Sequence, residues 1–473
     1  MTDSTHVLAR GLPGNPDPAC PGGPPSYGAR FVSRRFAVLL LAACAALVFS
    51  ACGRSEDDAR LIEPTEVEAP DTRPQDSGAD DAPATSGIPS AATKNTTRLP
   101  GPDPAALAAD AALAVFPSTS RETRPGAVAL VDQRDWRTAL AASALMGPPL
   151  RAPLLLTDPE ELPPVTAEAL RVLNPSGVQE ARGAQLIRVG TTPRPEGLRP
   201  TDITASGAAA TAAAVDSFLT STRGTPSRRV LVVSADDPAF AMPAAAWAAK
   251  SGDPILFVGR NAVPAPTTSA LRARRNPSIF IVGPESAIST QVQDTLEDLG
   301  EVTRIQGPDP VRNAIAFARF ADGDFGWGVT DPGHGLVFAR TDEPLVAAAV
   351  SPLSAAGTYG PLLLLDGPGR LGEPIREYLL DIQPGYQEDP VRGVYNHGWI
   401  AGDDAAISLA AQGEIDGLLE IVPVREDDAG DGTSTTSTAP AQTTATAPAA
   451  TTPTQTQTQL SQTPPTTTTA TTP

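Results

Sequence analysis

The chain has 473 residues, a formal net charge of −19, 51 prolines and only 4% aromatic residues. So acidic a balance argues against nucleic acid as a partner, because binding phosphates needs a basic face. All three cysteines, Cys20, Cys44 and Cys52, lie at the N-terminal end. The remainder therefore has no disulfide, thiol nucleophile or thiolate metal site to draw on.

Ser33-Arg34-Arg35-Phe36 opens an apolar stretch, Ala37 to Phe49, which is short for a bilayer span but suits the h-region of an export signal. Ser50-Ala51 then precede Cys52-Gly53 in an arrangement that resembles a bacterial lipobox. Cys52 is thus the expected lipid-modified residue of a membrane-anchored, extracytoplasmic protein. Leu41-Ala42-Ala43-Cys44 makes Cys44 the alternative, and ordinary signal-peptidase cleavage is a third reading. Residues 1–31 are Gly/Pro-rich and unlike an n-region, so Val32 is a candidate initiator, and 1–52 read as an extension plus signal peptide. From Gly53 to Ser90 there are ten acids against three arginines. Such a segment cannot bury enough apolar surface to order itself, so 53–93 reads as a disordered acidic linker.

A repeated unit follows. Each copy begins with a β-type run: Ala127-Val128-Ala129-Leu130-Val131, Val230-Leu231-Val232-Val233 and Leu336-Val337-Phe338-Ala339. Short continuous apolar runs of this kind suit strands buried on both faces of a parallel sheet. Polar turns come next (Asp132 to Asp135, Ser234 to Asp237, Arg340 to Glu343), and their acids complement the N-terminus of an Ala-rich helix. A proline-led strand then appears in each copy: Pro153-Leu154-Leu155, Pro254-Ile255-Leu256 and Pro361-Leu362-Leu363. The prolines are 101 and 107 residues apart, a nearly fixed period that points to one fold written three times. A second helix (Thr166 to Leu173, Thr267 to Arg275, Glu373 to Leu380) leads to a strand ending at Gly190, Gly283 or Gly402. Strands alternating with helices at these lengths predict βαβ units, hence an α/β fold.

Thr97-Arg98-Leu99-Pro100-Gly101-Pro102-Asp103-Pro104 and Thr303-Arg304-Ile305-Gln306-Gly307-Pro308-Asp309-Pro310 form a second echo, two repeat lengths apart. Leu198-Arg199-Pro200-Thr201-Asp202 is a degenerate middle copy. The repeats therefore read as 94–196, 197–300 and 301–425. The end of the chain, 426–473, is Thr/Pro-rich and reads as a disordered, extended tail.

These motifs resemble the type 2 cell wall-binding repeat, which occurs in triplicate in surface-layer and cell-wall proteins of Gram-positive bacteria. The resemblance covers residues 94–425. It implies three Rossmann-like or toprim-like α/β repeats with pseudo-threefold symmetry. Grooves between them would hold an anionic cell-wall polysaccharide or other wall polymer non-covalently, with no cofactor and no metal. On that basis the polymer-binding candidates are Arg98 and Arg304, whose guanidinium groups suit carboxylate or phosphate, together with the nine residues of the proline-led strands. Arg272, Arg274 and Arg275, the densest basic cluster of the globular part, join them. Two departures stand out: Pro104 and Pro310 occupy the place of a second family arginine, and Thr138 replaces the acid that usually opens the next helix.

No enzyme is expected. His334 and His397 stand apart, Asp403-Asp404 reads as a helix-capping pair, and no nucleophile elbow or phosphate-binding loop occurs. The alternative from another class is a solute-binding lipoprotein of an import system, in which a cleft between two lobes would grip the ligand.

Overall fold

The structure, a computed structural model, describes residues 91–424 apart from Thr358. Three sheets, each with four parallel strands, form its frame. In each, the β-type run is central, flanked on one side by the proline-led strand and on the other by the glycine-ended strand. Their ranges are Leu154–Thr157, Val128–Asp132 and Leu186–Val189 in the first sheet, Ile255–Val258, Arg229–Ser234 and Ser278–Val282 in the second, and Leu362–Leu365, Gly335–Arg340 and His397–Ala401 in the third. The prolines precede their strands, where a missing N–H costs no ladder bond. Their carbonyls are still used: Ala129, Leu231 and Val337 donate an N–H to the oxygens of Pro153, Pro254 and Pro361, at 2.9, 3.0 and 3.0 Å.

The fourth strand of every sheet comes from the next repeat. Pro200–Ile203 pairs with Leu186–Val189, and Glu301–Ile305 with Ser278–Val282. The ring is closed by the first of these strands, Thr96–Leu99, which pairs in parallel with His397–Ala401. Ala91–Ala92 adds a short antiparallel edge to that third sheet. The sequence period and the structural unit are thus offset by one strand. Residues 94–99 open the first repeat in sequence but complete the third sheet.

Helices repeat the same cyclic order. A leading helix (Pro104–Val115, Ala208–Arg223, Pro310–Arg319) packs on its own repeat's proline-led strand and on the inner helical segment of the preceding repeat. The inner helices (Trp136–Ala142, Pro243–Ser251, Pro344–Ala349) are Ala-rich and meet one another at the centre. Small side chains permit that approach, and glycine extends it: a Cβ on Gly147 would lie 2.3 Å from the Cα of Gly252. Arg223 reinforces the same junction by donating from Nε and Nη2 to the Pro148 carbonyl, at 3.1 and 2.9 Å. One continuous apolar core therefore runs through all three repeats.

Candidate polymer-binding groove

Parallel strands of an α/β sheet direct the N-termini of the helices that follow them to one edge, where ligands commonly bind. In this chain the carboxyl edges of the first and third sheets open into a shared groove of about 330 Å³. Its walls come from the turn Gly101–Pro104, the turn Gln133–Trp136, the turn Asp342–Val346 and the Gly402–Ala406 region. Trp136 is half-buried there, with Arg137 stacked on its ring at 4.5 Å and Phe257 of the second repeat meeting it edge-on at 5.9 Å.

Carboxylates dominate the polar lining, and most are occupied. Asp103 caps the leading helix by accepting from the Ala106 N–H at 2.9 Å, and Asp403 accepts from Ala405 and Ala406 at 3.1 and 3.0 Å. Arg340 donates from Nε to Asp342 at 2.8 Å and holds that carboxyl below its ordinary range. Glu343 is the exception. Burial, then the neighbouring charge of Asp342, pushes its carboxyl upward, and it makes no side-chain cap to the helix it precedes. An aromatic ring beside a carboxylate suits a sugar, whose C–H face stacks while its hydroxyls donate.

Arg98 lies behind this groove and does not enter it. It is 3% exposed, and its guanidinium donates to Gln412 Oε1 at 2.9 Å and to the carbonyls of Gly402, Asp403 and Ile407 at 2.7, 2.6 and 2.7 Å. Most of this bonding thus serves the turn after the glycine-ended strand. Arg304 performs the same task in the second sheet, donating to Gln293 Oε1 at 2.8 Å and to the Gly283 carbonyl at 2.9 Å. Burial lowers the pKa of both. Geometry reassigns these two arginines from the polymer to the sheet closures.

The proline-led strands are likewise interior. Pro153, Leu154, Leu155, Pro254, Ile255, Leu256, Pro361, Leu362 and Leu363 are all buried, so none offers a surface to a polymer. Helices cover both faces of the sheets that contain them, which is what their unbroken apolar sequence demands. The basic cluster divides. Arg274 is buried in an ion pair with Asp216, donates from Nε to Ser227 O at 2.9 Å, and ties two helices of the second repeat together, whereas Arg272 and Arg275 are exposed. Their helix ends at Arg272, three residues earlier than its sequence suggested. His334 sits in a turn 3.5 Å from Asp331, and His397 packs edge-on against Trp399. Asp403 and Asp404 are not the helix-capping pair expected: Asp403 accepts within a turn, and the helix that follows, Leu409–Leu419, is capped by Ser408. No metal-spaced group of His, Cys, Asp or Glu occurs among the described residues. Cys44 and Cys52 lie outside them.

Trp136 and Glu343 were not anticipated. The signal was present for the first: the residue after the polar turn is proline in two repeats, Pro238 and Pro344, and tryptophan in the other.

Residues 204–293 match the family model described as Cell wall binding domain 2 (CWB2). The middle repeat is a type 2 cell wall-binding repeat. The other two share its sheet order and helix arrangement, so the same α/β fold is present three times around the ring. Among solved structures, Cwp8 from Clostridium difficile is similar at 21% identity with a TM-score of 0.52, over 69% of this chain and 52% of that one. Cwp6 from Clostridium difficile is similar at 16% identity with a TM-score of 0.54, over 72% and 50%. This chain spans about half the length of the solved structures it matches. No curated protein sequence is significantly similar.

Proposed function

We propose that the CWB2 ring binds a cell-wall polymer non-covalently, with the groove between the first and third repeats as its contact and no catalytic step. The observation that carries this reading is the groove itself. In a protein whose middle repeat matches a wall-binding family, helix N-termini, Trp136 and Glu343, which has no ion-pair partner among the described residues, converge at the carboxyl edges of two sheets. On this reading the protein works outside the cytoplasm, anchored through a lipid on Cys52, and links membrane to wall.

Co-sedimentation of the full chain with isolated cell walls tests it. Retention is expected, and Trp136→Ala is expected to weaken it about tenfold or more, because the variant removes a half-buried aromatic platform for the sugar. Equal retention of the unmodified chain and the Trp136→Ala variant would remove the groove from the reading. No retention of either would remove the reading altogether.

A further inference from the structure

A second cavity, of about 540 Å³, lies at the opposite, amino edge of the first sheet. Arg124, Arg151, Glu122 and Glu180 line it, together with the exposed prolines Pro117 and Pro149. Neither arginine forms an ion pair with either glutamate or makes a side-chain hydrogen bond among the described residues. The Arg124 Nε is moreover buried without a partner. Buried donors are normally satisfied, so the protein itself leaves this guanidinium short of partners beside the cavity.

Arg151 supplies an independent argument. It stands two residues before the strand-leading Pro153 and has a positive φ of 47°. The position two residues before Pro254 in the next repeat is Gly252, with a φ of 72°. The backbone at this point is therefore built for glycine, and the first repeat places an arginine there despite the steric cost to an L-residue. The Arg151 N–H donates to the Gly147 carbonyl at 3.1 Å, but its guanidinium makes no hydrogen bond or ion pair among the described residues. The side chain is exposed at the cavity it lines.

We propose that this cavity binds an anionic group of a wall glycan, with Arg124 and Arg151 gripping a phosphodiester or carboxylate while Glu122 and Glu180 accept from sugar hydroxyls. The lining fits a charged sugar better than a free anion, because the two carboxylates can accept from sugar hydroxyls and the prolines offer C–H faces to a ring. The identity of the ligand's source rests on the wall-binding reading. The site itself does not, since it can be titrated in solution.

The full chain is titrated calorimetrically at low salt with poly(glycerol phosphate), with polygalacturonate and with neutral dextran. Binding of the first identifies the anion as phosphodiester, of the second as carboxylate, and either supports the site. Arg124→Gln and Arg151→Gly should each weaken that binding about tenfold or more, the scale of one charge-assisted hydrogen bond removed. Arg151→Gly should do so with no fall in melting temperature, since glycine suits the positive φ, and this separates binding from folding. The proposal is overturned if neither polyanion binds, if dextran binds as tightly, or if both variants bind as the unmodified chain does. Wall sedimentation abolished by Trp136→Ala, alongside failure of these titrations, would leave the groove standing and this site refuted.

Discussion

The closures of the third and first sheets differ in where their arginine comes from. In the third, Arg98 on the incoming strand is registered against Ile400 and reaches over to the turn that follows it. The second sheet repeats this with Arg304 against Ile281. In the first, the incoming strand carries Asp202, and the arginine is its register partner, Arg188, on the glycine-ended strand. Arg188 donates to the Thr192 hydroxyl at 3.1 Å, to the Pro193 carbonyl at 3.0 Å and to Asp202 at 2.7 Å, and also reaches the Thr192 carbonyl. Neighbours in register on a parallel sheet project to the same face, so either strand can deliver a guanidinium to the same turn. What persists through the triplication is the interaction, and its position moves by one strand.

Removing the arginine should therefore cost most where its bonds are both numerous and buried. Arg98→Ala leaves four acceptors without their donor in a buried site and is expected to destabilise the chain by about 3–5 kcal/mol. Arg304→Ala removes two bonds, and its Nη2 is already without a partner, so a cost of about 1–3 kcal/mol is expected. Urea unfolding measures both. Equal costs, or a larger one at Arg304, would mean that bond count does not govern the closures.

These roles explain what could be read from residues alone. The triplicate fold was legible because strand and helix periodicity is local and recurs with the prolines. Its closure was not: Thr96–Leu99 and His397–Ala401 pair across roughly the whole described chain, and a parallel partner so far away leaves no mark in either segment. Arg98 and Arg304 drew attention because they stand in a motif repeated two repeat lengths apart, where the family resemblance places an arginine. Their acceptors are mostly backbone carbonyls, which any residue supplies, so sequence could not reveal that they were already used. The proline-led strands carried contrary hints, and their unbroken apolar character, which demanded burial, proved the better guide. The groove and the arginine cavity form only when turns from different elements meet, and only Trp136, standing where its counterparts are prolines, broke the pattern visibly.

The positional swap can be tested by reversing it. Arg188→Ile alone removes the donors and leaves Asp202 with only Arg194 for an ion-pair partner, at an expected cost of about 2–3 kcal/mol. Adding Asp202→Arg recreates the arrangement of the other two sheets, isoleucine opposite arginine. The double variant should then recover to within about 1 kcal/mol of the unmodified chain, since the exposed ion pair of Arg194 with Asp202, which the second substitution removes, is worth little. A double variant less stable than the single one would show that the two closures are not interchangeable.

The smallest expected effect distinguishes the third closure by pH. His397 begins the strand to which Thr96–Leu99 is joined, whereas the corresponding residues are Gln185 and Ser278 in the other sheets. Burial lowers its pKa below the ordinary histidine value, against the opposing pull of Asp416. Lys94, at the start of the same closure, is paired with Glu420, while Asp331 faces His334 on the adjoining turn. A folded-state pKa below the unfolded one means that the unfolded chain binds the proton more tightly. The stabilising contribution is therefore complete above the unfolded value of about 6.5 and is lost as pH falls through the folded one. Amides of Thr97 to Leu99 should thus lose hydrogen-exchange protection on acidification from neutrality, relative to those of Thr201 to Ile203 and Thr303 to Ile305. His397→Gln, which installs the first sheet's residue, should abolish the difference. Equal acid sensitivity of all three closures would place its origin in groups other than His397.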